Sequence, residues 1–222
     1  MTRRYGSAMG VRQASGGGRW VDVDPVRLAR WVENFTARHG EPTVDVVPQA
    51  LLLTAPDGAV AELHPPPGMP VPADLAGFLR EAARPRRVGL LLARKGAVAV
   101  GVADGPDLVV SKVDTHYVQG RTAAGGWSQQ RFARRRDNQA KAAAADGAGI
   151  AARLLLPQVG MLAAVVTGGD RQAVEAILAD RALAPVAALR ADRLLDVPEP
   201  RHAVLVAAIP QARSVLVLVR DP

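Results

Sequence analysis

The sequence contains no cysteine. Disulfides, cysteine-based zinc sites and thiol nucleophiles are thereby excluded. Histidine is scarce, and His39, His64, His116 and His202 are scattered with no cluster of Asp or Glu beside them. Neither a metal site nor a cofactor is therefore expected. Aromatic residues make up 4% of the chain, so the 49% of residues that are apolar are mostly Ala, Val and Leu. That composition suits packed helices and buried strands. No run of about eighteen apolar residues occurs, so no membrane-spanning helix is expected. The arginines near the start precede no apolar h-region, so no secretory signal is expected either. A cytoplasmic protein follows from these absences.

What the chain does have is positive charge, net +7 over 222 residues, and its location is informative. Residues 1–19 hold four arginines and no acid, whereas 20–110 hold nine basic and eleven acidic side chains. Ser111–Lys141 carries seven Lys/Arg against Asp114 and Asp137, and 142–222 balance eight against eight. Charge gathered this way suits a polyanion, because neutralising phosphates releases counterions and yields affinity without sequence readout.

Taken in order, residues 1–19 lack periodicity and read as a flexible basic tail. Trp20–Val23 is strand-like, and Asp24-Pro25 caps a helix in which Val26, Leu28, Ala29, Trp31, Val32 and Phe35 recur with helical spacing, ending at His39-Gly40. Val44–Val47, Ala50–Ala55 and Ala59–His64 read as strands, the last two joined by the turn Asp57-Gly58. After Pro65-Pro66-Pro67-Gly68 the spacing predicts a helix over Pro72–Ala83. Residues 20–85 thus form a small α+β unit. The second part, 86–222, starts with three strands, Val88–Ala93, Ala97–Ala103 and Leu108–Val113, in an antiparallel meander. A helix begins at Gln129 with Ser128 as N-cap and puts Phe132, Ala133, Ala140, Ala143, Ala144 and Ile150 on one face. Gly147 is expected to weaken or break it. A strand over Met161–Thr167, a helix Arg171–Asp180, a strand Ala184–Leu189, a loop Leu194–Pro200, a helix Arg201–Ile209 and a strand Ser214–Val219 complete the chain. The fold class is α/β (α+β), a mixed sheet with flanking helices.

The junction Gly168-Gly169-Asp170 between a strand and a helix lacks the dinucleotide fingerprint and any P-loop lysine, so it reads as an ordinary turn. No Gly-x-Ser-x-Gly elbow occurs, and no spacing singles out paired carboxylates. What remains is Gly125-Gly126-Trp127-Ser128-Gln129-Gln130, set between a strand and an arginine-bearing helix. Gln129 has no titratable proton, but its amide can orient a water or hydroxyl and its N–H can stabilise an oxyanion. Gly125 and Gly126 let backbone approach a crowded reaction centre. Such a device works where a larger, RNA-based site supplies the rest. Arg121, Arg131, Arg134, Arg135 and Lys141 are candidates to hold phosphates, and Trp127 to stack on a base.

The run Gly125–Gln129, with Thr115–Arg121 before it and Gln130–Ala140 after it, resembles the catalytic loop of the Vms-like release factors, most closely their actinobacterial branch. The family's G-x-x-Q is met by Gly126 and Gln129. The resemblance implies the middle-domain fold of eukaryotic and archaeal peptide-chain release factors, related to ribonuclease H, for 86–222. It also implies peptidyl-tRNA hydrolysis on obstructed large ribosomal subunits, in ribosome rescue and quality control. Its partners would be rRNA and peptidyl-tRNA, with no DNA and no membrane, and a monomer is expected. Gln129 takes the role of the catalytic glutamine, and Gly125 and Gly126 shape the loop. Trp127 and Ser128 interrupt the Gly-Gly-Gln of ordinary release factors, so Gln130 is a second candidate for the reaction centre. The residues leave open ester hydrolysis, cleavage of the tRNA CCA end, and a module that binds RNA without catalysis.

Overall fold

The computed structural model describes residues 11–94, 96–115 and 128–222, with backbone alone over 128–138. The chain divides into two units, one formed by the part up to Pro85 with Pro210–Pro222, the other by Arg86–Ile209.

The first unit is a six-stranded sheet with helices on one face. Its strands are β1 (Val11–Gln13), β2 (Arg19–Val23), β3 (Thr43–Val47), β4 (Ala50–Thr54), β5 (Val60–His64) and β11 (Val215–Arg220), in the order β1-β2-β11-β5-β4-β3 with antiparallel neighbours. Asp24 accepts a hydrogen bond from the Val26 N–H at 2.9 Å and starts the turn that leads into α1 (Leu28–His39). Leu28, Val32 and Phe35 on α1 are buried with Leu51, Leu53 and Leu63 of the sheet and with Phe78 of α2 (Leu75–Ala83). The helix expected from Pro72 starts at Leu75, because Asp74 caps it by accepting from the Gly77 N–H at 2.6 Å. Asp57-Gly58 makes the β4–β5 turn, with Gly58 at φ 94° and the Asp57 carboxylate accepting from the Ala59 N–H.

Two expected boundaries move. Residues 11–19 are not tail, since Val11–Gln13 pairs with Arg19–Val21 around a turn that needs Gly17 and Gly18 at φ 88° and 83°. A Cβ on Gly18 would overlap the Val219 carbonyl oxygen, so glycine is required there. Residues 1–10 lie outside the described residues. The end of the chain also departs from the expected 86–222 unit, because β11 sits between β2 and β5 in the first sheet. Its Val215, Val217 and Val219 fill that unit's core, and the Ser214 hydroxyl donates to Asp22 at 2.9 Å.

The second unit is built on a mixed sheet ordered β10-β9-β6-β7-β8. β6 (Arg87–Arg94), β7 (Ala97–Asp104) and β8 (Asp107–Thr115) form an antiparallel meander, and β9 (Ala164–Gly169) runs parallel to β6 and to β10 (Arg190–Leu195). One face is covered by α3 (Ser128–Leu155), α4 (Arg171–Leu178) and α5 (Ala184–Ala187), whose Ala151, Leu155, Val174, Ile177 and Val186 pack on Leu91, Val100 and Val165. α6 (His202–Arg213) follows, and its Leu205 lies over Gly101 of β7. The expected strand Ala184–Leu189 is instead the short helix α5. Pro185, which has no N–H for a sheet ladder, falls in its first turn, and the strand comes directly after Leu189, reaching the first two residues of the expected loop Leu194–Pro200. This is an α+β architecture with a mixed sheet and flanking helices.

Candidate RNA-facing site

β8 is the edge strand that carries the chain to the loop. It runs antiparallel to β7, hence in the same sense as β6, so Thr115 leaves the sheet at the edge where β6 and β9 also end. The chain returns as α3, a helix of 28 residues and therefore about 42 Å long.

Among the described side chains of α3, those of its C-terminal part are packed. Ala148, Ile150, Ala151 and Leu155 are buried, and Leu155 reaches Gly89 near the start of β6. Gly147 lies against Ile177 of α4 and Val98 of β7, close to the other end of the sheet. Followed backwards from Gly147, α3 thus leaves the sheet on the side where β8 ends. Gln139, Ala140, Lys141 and Ala142 are all exposed. Consecutive residues turn by 100°, so four in a row sample every side of the helix, and among the described residues nothing packs on it there. Ala140, expected on one face with Ala143 and Ala144, is exposed, whereas those two are half-buried. The break expected at Gly147 is corrected. The helix continues through it, and the missing side chain serves close approach to α4 instead.

Gln129, Gln130, Arg131, Arg134 and Arg135 fall in the first turns of α3, where the backbone is described. Ser128 is the first helical residue, one position later in role than the expected N-cap. The first N–H groups of any α-helix lack intrahelical acceptors and face outward along the axis, with the positive end of the helix dipole. Such an end suits negative charge, whether phosphate or a developing oxyanion. Arg121, Gly125, Gly126 and Trp127 lie outside the described residues. Lys141 is exposed and makes no ion pair among the described residues. The stretch Ser128–Lys141 spans about 20 Å, so the expected site residues that fall on α3 are strung along this stalk of helix. Gly147 is the residue that sequence reasoning misread. Its signal was available, because small and apolar positions continue with helical spacing on both sides of it.

The Gly168-Gly169 junction is structural. A Cβ on Gly168 would sit 2.8 Å from Leu92 Cδ2, and Gly169 adopts φ 91°. Asp170 caps α4 by accepting from the Gln172 and Ala173 N–H groups at 2.9 and 3.2 Å, which places a carboxylate where a phosphate would sit. Among the described residues, two carboxyls are held below their ordinary value, and both belong to the first unit. Asp57 is lowered by the Ala59 N–H and then His39, and Asp221 is lowered by Arg19. Among the described residues no group of three or more His, Asp or Glu is placed to hold a metal ion, and no helix is long and apolar enough to cross a membrane.

A profile of the Actinobacteria/chloroflexi VLRF1 release factor family matches residues 86–218, more than half of the chain. The chain belongs to this family. That match spans the meander, the loop and all of α3. Among solved structures, the archaeal translation termination factor aRF1 is similar at 18% identity and a TM-score of 0.42, over 72% of this chain and 51% of that one. A structure described as an archaeal protein is similar at 18% identity and a TM-score of 0.41, over 70% and 48%. The chain spans about half the length of these structures. No curated protein sequence matches it. The family is described as one of release factors.

Proposed function

We propose that the protein is a peptidyl-tRNA hydrolase that releases nascent chains from stalled or obstructed large ribosomal subunits in the cytoplasm. The observation that supports this reading is the family match over 86–218, which encloses Gly125–Gln129 and the whole of α3. In the reaction, water adds to the ester carbonyl, the bond to the ribose oxygen breaks, and the proton passes to that oxygen. The products are a peptide with a free carboxyl and a tRNA with a free hydroxyl. Gln129 orients the water, since an amide donates and accepts hydrogen bonds but cannot take the proton. Proton transfer and most of the binding then belong to RNA. Gly125 and Gly126 let the loop enter, while Arg131, Arg134, Arg135 and Lys141 hold phosphates along the stalk.

The test uses stalled large subunits carrying peptidyl-tRNA, incubated with wild type, Gln129→Ala and Gln130→Ala, with the tRNA ends sequenced afterwards. Loss of release in Gln129→Ala with an intact CCA end is expected. Full release by Gln129→Ala would remove this glutamine from the reaction. A shortened tRNA end would make the protein a nuclease, and binding without release by wild type would make it a module without catalysis.

A further inference from the structure

The first unit carries a line of arginine that its own fold does not use. Residues 20–85 contain five Lys/Arg against nine Asp/Glu, and three of the five are Arg27, Arg30 and Arg38. With Asn34 they follow a spacing of three and four residues, which places them on one face of α1 over about 16 Å. All four are exposed, whereas Leu28, Val32 and Phe35 bury the opposite face. The remaining two basic residues, Arg80 and Arg84, are within ion-pair distance of Glu81 on α2. Among the described residues Arg27 and Arg30 have no ion-pair partner.

Elementary helix chemistry argues against this placement. Arg27 and Arg30 occupy the start of α1, where the helix dipole favours anions, and like charges three residues apart repel. The single acid of α1, Glu33, lies off the line. Asp221, the acid whose carboxyl senses Arg38 and His39, is ion-paired with Arg19, so it cancels Arg19 rather than the line. Arg38, in the last turn, suits the dipole, but the pair at the helix start costs stability and returns none, which marks a working surface. Beside the line stands Trp31, half-buried and stacked on Phe35 with ring centroids 5.7 Å apart. Arginines in a row with an aromatic ring alongside match a nucleic-acid backbone and its bases, with contacts spaced along an extended polyanion.

We propose that the exposed face of α1 is a second RNA-binding surface, separate from the stalk of α3, that holds ribosomal RNA phosphates through Arg27, Arg30 and Arg38. The proposal rests on the ribosomal reading above for which RNA is held. It extends that reading by giving the first unit a role in recruitment.

The experiment measures binding of the full chain to purified large ribosomal subunits and to naked large-subunit rRNA over a range of salt. Wild type is compared with Arg27→Gln/Arg30→Gln/Arg38→Gln and with a charge-matched control, Arg153→Gln/Arg171→Gln/Arg181→Gln, with melting temperatures to confirm folding. The α1 variant is expected to bind both targets about tenfold or more weakly at 0.1 M salt. Its slope of log affinity against log salt should be shallower by about two, while the control changes little. Wild-type affinity in the α1 variant would overturn the proposal. So would weakened subunit binding with an unchanged salt slope and unchanged binding to naked rRNA, which would assign α1 to a ribosomal protein. Release assays on Gln129→Ala report separately on hydrolysis, so either reading can fail while the other stands.

Discussion

Gly147 of α3 approaches Ile177 of α4 so closely that a Cβ on the glycine would lie 2.8 Å from the Ile177 Cδ1 and 3.0 Å from its Cγ1. This contact anchors the stalk to the sheet at the point where α3 leaves it. Gly147→Val is expected to lower stability by about 1–3 kcal/mol through overpacking, despite a small gain in helix propensity. Gly147→Ala should be nearly neutral, since its propensity gain of about 1 kcal/mol offsets the displacement of one flexible side chain. Urea denaturation of the two variants checks the difference. Equal stability of Gly147→Val and wild type would mean that the helices separate freely.

The turn from β9 into α4 offers a second test. A Cβ on Gly169 would overlap the Ala93 carbonyl oxygen, in a backbone at φ 91° that other residues avoid. Gly169→Ala should therefore cost about 2 kcal/mol or more, and Asp170→Ala about 1 kcal/mol for the lost cap. Because Asp170 already occupies the helix end, the rise in melting temperature with inorganic phosphate is expected to be no larger in wild type than in Asp170→Ala. A larger rise in wild type would reopen this junction as an anion site.

Acid sensitivity of the first unit should pass in part through Asp57. Its carboxyl is held below the ordinary 3.8 by a hydrogen bond from the Ala59 N–H and then by His39, whose Nδ1 lies 2.8 Å from Oδ2. A lowered value means that the unfolded chain binds the proton more readily. The contribution is therefore complete above the unfolded value and lost as pH falls through the folded one. Asp57→Asn keeps an oxygen for the Ala59 N–H but no charge. Its stability profile is expected to be flatter than wild type below about pH 4 and unchanged in shape near neutrality. Denaturant midpoints taken between pH 2 and 7 read this directly.

Local chemistry made much of this fold legible. Asp24-Pro25 before α1 and Asp57-Gly58 between β4 and β5 each act over a few residues, and each stands where it was expected. Partners far apart in the chain were not legible. Val-Leu-Val-Leu-Val in β11 announces a strand but carries no address, and its neighbours β2 and β5 lie in the first 64 residues. At the site, the start of α3 was readable from Ser128 and the polar run after it. How much of α3 is packed was not, because alanine fits both settings. Ala148 is buried and Ala140 exposed, with the same side chain and the same helix propensity.

That ambiguity yields the most direct test of the stalk. Residues 139–142 of α3 are all exposed, so proline at Ala140 should disturb the helix without disturbing the core. In a helix interior proline costs about 3 kcal/mol and kinks the axis. Since the exposed turns contribute little to the buried cluster of Ala148, Ala151 and Leu155, the denaturation midpoint of Ala140→Pro is expected to stay near wild type. Circular dichroism should show loss of helix equivalent to a few turns. If Gln129 must be held by a straight helix, release from stalled large subunits should fall at least as far as in Gln129→Ala, with RNA binding through α1 retained. Normal release from a kinked stalk would mean that the ribosome, rather than α3, positions the loop.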